Sequence, residues 1–204
     1  MRIKILMLLT IFMISTFCNI EVRAEKSNNI SEGKISNLVL LAQPHKGPRY
    51  AHRVAHAIIS AAHKVKLNNT DLQSKFPEMI AATASIESDY SMASRPCVGI
   101  MQLNVRVHTQ EYRKLGLDPY NLEDNVLLGA MELATHYNHS SRGNILSSRS
   151  GSYDRLAYMW GRYNGSGSHG SYAHKALKVY HKIHENKMET IKPPSRKHKK
   201  HKIK

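Results

Sequence analysis

Through the middle of this chain apolar residues recur at steps of three and four, and nowhere do they alternate with polar ones over a strand's length. Val54, Ile58, Ala61 and Val65 form one stripe within Arg49 to Lys66. Val126, Leu127, Ala130, Met131 and Ala134 form a second within Leu122 to Tyr137, and Ala176, Leu177, Tyr180 and His184 mark a third that closes the body from Tyr172. A period near 3.6 belongs to amphipathic helices, so the expected body is mostly α, with any β limited to a short hairpin. At 204 residues and 41% hydrophobic, the chain has apolar material for one core and therefore one domain. Its 22% charged content excludes a disordered polyelectrolyte as well as a multi-span membrane protein.

The two ends follow other rules. Arg2 and Lys4 precede the apolar run Ile5 to Phe17, and Val22 and Ala24 occupy the small-residue positions before a cut, which is the layout of a secretory signal peptide over 1–24. The other reading of that segment is a retained anchor. Cleavage would leave Cys97 as the one cysteine of an exported, periplasmic or secreted protein, so no internal disulfide is available and the core alone must hold it. Residues 25–48 read as a linker with one turn of structure at Leu38 to Ala42, and 49–186 as the folded body. Beyond it, 187–204 carries seven lysines and Arg196 against Glu189, broken by Pro193 and Pro194. Too polar to bury, this segment is expected to be a disordered basic tail that meets an anionic envelope surface. A nucleic-acid partner would rest on that tail alone, because the body lacks basic residues interleaved with aromatics on one face.

Within the body, His52, His56 and His63 share a helix face, where two histidines four apart could hold a metal; no carboxylate or cysteine joins them at ligand spacing, so a solvated face is the plainer reading. Asn68 to Asp71 ends that helix, and Pro77 opens the next, PEMIAATASIES. Ile80, Ala84 and Glu87 lie at steps of four and three, which puts the Glu87 carboxylate on an apolar stripe near the negative end of the helix dipole. Both circumstances disfavour its charge, and a carboxyl pushed toward neutrality suits a general acid. A glutamate that bends out to solvent in the last turn is the alternative that position alone leaves open. GIMQLN, Gly99 to Asn104, declares neither helix nor strand; Tyr112 to Pro119 reads as a helix end and turn, Tyr153 to Trp160 as a short helix, and YNGSGSHG, Tyr163 to Gly170, as a loop.

The order of these segments carries more than any one of them. A helix ending in IES, a loop, GIMQ, a helix containing DNVLLGAMEL, and YNGSG before a terminal helix together resemble the lytic transglycosylase domain of the soluble, goose-lysozyme-like type, over roughly Arg49 to His184. The resemblance implies a lysozyme-like single domain with a substrate groove, with 49–186 as its catalytic domain. It implies that Glu87 is the acid and base and that Ser88 helps to orient it. Gly99, Ile100, Met101 and Gln102 would line the groove beside that acid, Asn125 and Gly129 would belong to a helix packed behind, and Tyr163, Asn164 and Gly165 to a loop whose tyrosine faces the glutamate. This chain departs from the family in a shorter loop between Ser88 and Gly99, in Ser166 where a second glycine is usual, and in Trp160, Gly161 and Arg162 before the last motif.

That family cuts peptidoglycan glycan strands at the β-1,4 bond. Such a cut needs a proton on the departing oxygen and stabilisation of an oxocarbenium-like centre, usually from two carboxylates. Only Glu87 is well placed for that role. Asp89, two residues on, would be turned away by a helix. One carboxylate suits a substrate whose own N-acetyl group assists, with the muramoyl 6-hydroxyl closing onto the anomeric carbon to leave a 1,6-anhydro end. The reaction requires no metal or cofactor. Replacing that hydroxyl with water would make a hydrolytic muramidase, and a non-catalytic wall-binding module is the reading from another class. Wall turnover, passage of a secretion or appendage machine, and attack on other cells all suit such a protein.

Overall fold

The computed structural model describes residues 32–93, 96–140, 152–167 and 170–186; the signal segment and the basic tail lie outside them. Helix accounts for 76% of the described residues, with no strand among them. The elements are α1 (32–42), a 3-10 turn (Pro44–Lys46), α2 (Gly47–Lys64), the short α3 (Thr70–Gln73), α4 (Phe76–Ser88), α5 (Val105–Leu115), α6 (Leu122–Ser140), α7 (Ser152–Asn164) and α8 (Ser171–His184).

The α4 segment is apolar on every side and is accordingly the buried helix of the body. Phe76, Pro77 and Met79 to Ala84 are all buried, and α2, α6 and α8 pack around it. Pro77 stands in its first turn, where the missing N–H costs nothing. A fourth contact comes from α7, whose fully buried Trp160 donates its indole N–H to Thr83 Oγ1 at 2.9 Å. Thr83 in turn donates to Met79 O at 2.9 Å, so the one polar side chain midway along α4 has both roles filled.

The α2 stripe is where its spacing puts it: Val54, Ile58 and Ala61 are buried, while His52, His56 and His63 are exposed. His52 and His56 turn their Nδ1 atoms to Glu32 Oε1 on α1 at 3.4 and 3.6 Å. No group of three His, Cys, Asp or Glu among the described residues is arranged to hold a metal ion. Asn121 Oδ1 caps α6 by accepting from Glu123 N and Asp124 N at 2.9 and 3.2 Å.

The N-terminal stretch corrects the reading of 25–48 as a linker. Residues 32–42 form a full helix, and Ile35, Leu38 and Val39 are buried in the common core. Their steps of three and one match a core-facing stripe, but it is short and sits between Gly33, Ser36 and Asn37, which dilute its signal. The folded body thus begins by residue 32. GIMQLN resolves as a tight turn closed by one isolated bridge, Val98 with Leu103, in keeping with a β content no larger than a short hairpin. Among the described residues no helix is long and apolar enough to cross a membrane.

Candidate active site

Glu87 occupies the last turn of α4, one residue before Ser88 ends it, and is half-buried. The hydroxyl of buried Tyr172, in the first turn of α8, donates to Glu87 Oε1 at 2.5 Å. Burial raises the Glu87 pKa above the ordinary glutamate value; the Tyr172 hydrogen bond opposes that rise, and the Glu132 charge adds to it. Desolvation is the largest of the three, so on balance the carboxyl keeps its proton to higher pH than an ordinary glutamate. Burial and the neighbouring Glu87 carboxylate likewise push the Tyr172 phenol far up, which keeps it a donor.

Immediately after α4 the chain adopts an uncommon path. Asp89 and Tyr90 both take left-handed conformations, with φ of 52° and 59°, and Tyr90 is a buried aromatic. Non-glycine residues rarely hold such angles unless their surroundings enforce them. Here the enforcing groups come from the N-terminal part of the chain: Gln43 Nε2 donates to Asp89 O at 2.7 Å, and Tyr50 OH donates to Tyr90 O at 2.6 Å. Gln102, in the turn beside Glu87, is a third residue of this kind with φ of 49°. Of the four non-glycine residues with positive φ among those described, three therefore flank this site.

Ser88 ties the end of α4 to the second segment. Its hydroxyl donates to Ile100 O at 2.8 Å, so it positions Glu87 through the backbone rather than by touching it. The Gly99 to Gln102 turn is held from behind by α6. Asn125, with no exposed surface, accepts from Met101 N at 3.0 Å through Oδ1 and donates through Nδ2 to Val98 O at 3.0 Å and Pro119 O at 2.9 Å. Glycine at 99 is dictated by that contact: φ is +75°, and a Cβ there would lie 2.1 Å from Asn125 Nδ2. One turn along α6, a Cβ on Gly129 would lie 2.7 Å from the Met101 side chain. Asn125 and Gly129 thus hold the Val98 to Met101 turn from the α6 side.

Four residues of the sequence reading take different places. Ile100 and Met101 are fully buried, so they support the turn from the core side. The Gln102 amide donates to Gly99 O at 2.7 Å and bridges its own turn. Tyr163 lies in the last turn of α7, not in a loop, and its hydroxyl donates to Met101 O at 2.7 Å. The tyrosine bonded to Glu87 is Tyr172 instead. Tyr163 stands near enough for the Glu87 charge to act on its phenol. Asn164 is exposed at the end of α7, where Gly165 and Gly167 turn the chain with positive φ.

Tyr172 and Glu132 escape sequence reasoning for a common reason. Local period marks neither as more than a helical residue, and only the packing of α8 and α6 against α4 brings the Tyr172 hydroxyl to Glu87 and the Glu132 charge within reach of it. Cys97 is a half-buried free thiol in the loop before the turn. No protein-family model, no curated protein and no solved structure matches the chain.

Proposed function

We propose that this protein is a peptidoglycan lytic transglycosylase of lysozyme-like fold, with Glu87 as its acid and base. The observation that carries the reading is the state of Glu87: a half-buried carboxyl at a helix end, pushed toward its proton-bearing form, with one oxygen occupied by the Tyr172 hydroxyl. Because Tyr172 donates to Oε1, Oε2 is left to carry the proton toward the glycosidic oxygen. Once ionised, the carboxylate keeps the Tyr172 hydrogen bond and can accept the proton of the muramoyl 6-hydroxyl, which closes onto the anomeric carbon as the N-acetyl group leaves it. The ordered motifs support this reading, since Glu87, Ser88, the Gly99 to Gln102 turn, Asn125, Gly129 and Tyr163 meet around one helix end. The substrate groove would run past Glu87 and that turn. Export by the signal segment would place the enzyme in the periplasm or outside the cell, where the tail would meet anionic envelope polymers and a secretion or appendage machine could be its partner.

Hydrolysis is the second reading, and Glu132 favours it: a second carboxylate whose charge reaches Glu87 could serve water as a base. Mass spectrometry of the fragments released from purified peptidoglycan separates the two. Anhydro ends, lighter than reducing ends by one water, support the transglycosylase; reducing ends alone assign a muramidase, and no fragments at all would remove both.

A further inference from the structure

Two side chains from the N-terminal part of the chain grip the end of α4, and neither the matched motifs nor the mechanism above uses them. The last turn of α4, which carries Glu87 and Ser88, is closed by two amides: Tyr90 N donates back to Ala84 O at 3.1 Å, and Ser91 N donates to Ser88 O at 3.0 Å. The Tyr90 N–H shares a peptide unit with the Asp89 carbonyl, and the Ser91 N–H shares one with the Tyr90 carbonyl. Each unit is planar, so holding its oxygen also sets the direction of its N–H. Those two oxygens are the ones held from outside. Buried Gln43, just past α1, donates through Nε2 to Asp89 O at 2.7 Å, and Tyr50, in the first turn of α2, donates through its hydroxyl to Tyr90 O at 2.6 Å. Lys46 Nζ stands over the Tyr50 ring, 5.5 Å from its centroid.

We propose that Gln43 and Tyr50 are positioning residues of the candidate active site, which hold Glu87 against the Tyr172 hydroxyl by fixing the two peptide units that close its turn. Ending a helix does not by itself call for such a grip: α5 ends on Gly116, a single left-handed glycine whose N–H returns to Arg113 O and Tyr112 O. At the end of α4 the chain instead holds Asp89 and Tyr90, both left-handed, and non-glycine residues keep that conformation only where the surroundings over-determine it. The groups that do so stand 46 and 40 residues earlier in the chain, and both act on the turn that carries the acid. Precision is what such a site needs, since a reacting group misplaced by about 1 Å loses on the order of 10²-fold in rate. The inference rests on the reading of Glu87 as a general acid, but its deciding measurement does not require activity.

The experiment is a carboxyl-detected NMR titration of the full chain labelled in glutamate, with Glu87→Gln used to assign the Glu87 signal. Tyr50→Phe and Gln43→Met each remove one donor and keep the bulk of the side chain. Gln73→Ala is the control, because Gln73 Nε2 also bonds two carbonyls, Ala62 O and Val65 O at 2.9 and 3.0 Å, but at the end of α2 and before the start of α4. The Glu87 midpoint is expected to leave the parent value in both donor-less variants, downward because burial is the largest influence that a loosened turn relaxes, and to stay in place in Gln73→Ala. A midpoint unmoved in Tyr50→Phe and Gln43→Met, or moved as much by Gln73→Ala, overturns the inference. Should Gln43→Met fail to fold, Tyr50→Phe decides alone. Where the parent cleaves soluble wall fragments, kcat should fall by about tenfold or more in the donor-less variants, with KM and the Gln73→Ala control within about twofold of the parent. Moved midpoints with no cleavage by the parent uphold this inference and reject the transglycosylase reading, whereas cleavage with unmoved midpoints does the reverse.

Discussion

Gly99→Ala is the substitution for which the structure makes the sharpest demand. Gly116 provides its internal control, because both have nearly the same backbone angle, φ +75° and +68°, while nothing lies within 4 Å of a Cβ at 116. At Gly116, where α5 ends, alanine costs only the left-handed conformation, roughly 1–2 kcal/mol. At Gly99 the same cost applies, and the new methyl also overlaps the Asn125 amide, with Nδ2, Cγ and Oδ1 at 2.1, 2.2 and 2.4 Å. Asn125 has no empty direction to move into, since its amide already serves Met101 N, Val98 O and Pro119 O. Displacing it orphans at least two buried polar groups at about 1–3 kcal/mol each. The total for Gly99→Ala is thus roughly 3–8 kcal/mol, a large part of the 5–15 kcal/mol typical of a domain. Urea unfolding followed by circular dichroism measures both variants on one scale. If Gly99→Ala falls within about 1 kcal/mol of Gly116→Ala, the Asn125 clamp does not exist as described.

Tyr172→Phe deletes the hydrogen bond that favours ionised Glu87, so the Glu87 pKa should rise further and the alkaline limb of any cleavage profile should move to higher pH; a shift to lower pH contradicts the assignment of donor and acceptor. Gln43→Ala removes the donor to Asp89 O and should lower stability by about 1–2 kcal/mol in the same urea assay, whereas an inert 32–46 segment would leave it unchanged. A chain ending at Asn186 should keep its turnover on soluble wall fragments yet pellet less with anionic walls at low salt, because the lost lysines act through a field screened within about 8 Å near physiological strength. Equal pelleting at every salt concentration would leave the tail without that role.

The legible and illegible parts of this protein divide along physical lines. Helices with a long buried stripe, α2, α4, α6 and α8, announce themselves by period, and the position of Glu87 on the α4 stripe suffices to expect a raised pKa. Signals shorter than about three turns do not rise above their surroundings. The α1 stripe of Ile35, Leu38 and Val39 reads as a linker, and α5 shows only its end, because Tyr112 is its sole buried residue. Least legible are partnerships made by helix crossing. Nothing local distinguishes Tyr172, which bonds Glu87, from Tyr163, which bonds Met101 O. Nor does any motif join Gln43 and Tyr50 to the left-handed turn some forty residues later. Gly99 is singled out only by the resemblance, and the reason a glycine is required there, the Asn125 amide, lies on another helix.

The central claim is that Glu87 gives a proton to a glycosidic oxygen of peptidoglycan, and the most direct measurement is release of soluble fragments from purified sacculi by the parent and by Glu87→Gln, with thermal melts of both. The amide keeps the Tyr172 contact but has no proton to give, so cleavage should fall by roughly 10²–10⁴-fold, the usual worth of general acid catalysis. The melt carries a sign of its own. A carboxyl whose folded pKa is raised binds more protons in the native state than in the unfolded one, so its contribution to stability falls as pH climbs through the interval above the ordinary glutamate value. Glu87→Gln should therefore melt higher than the parent at neutral pH, and that advantage should vanish below the ordinary glutamate pKa. Cleavage within about tenfold of the parent, from a variant that melts no higher at neutral pH, would contradict the account of Glu87 as a buried acid.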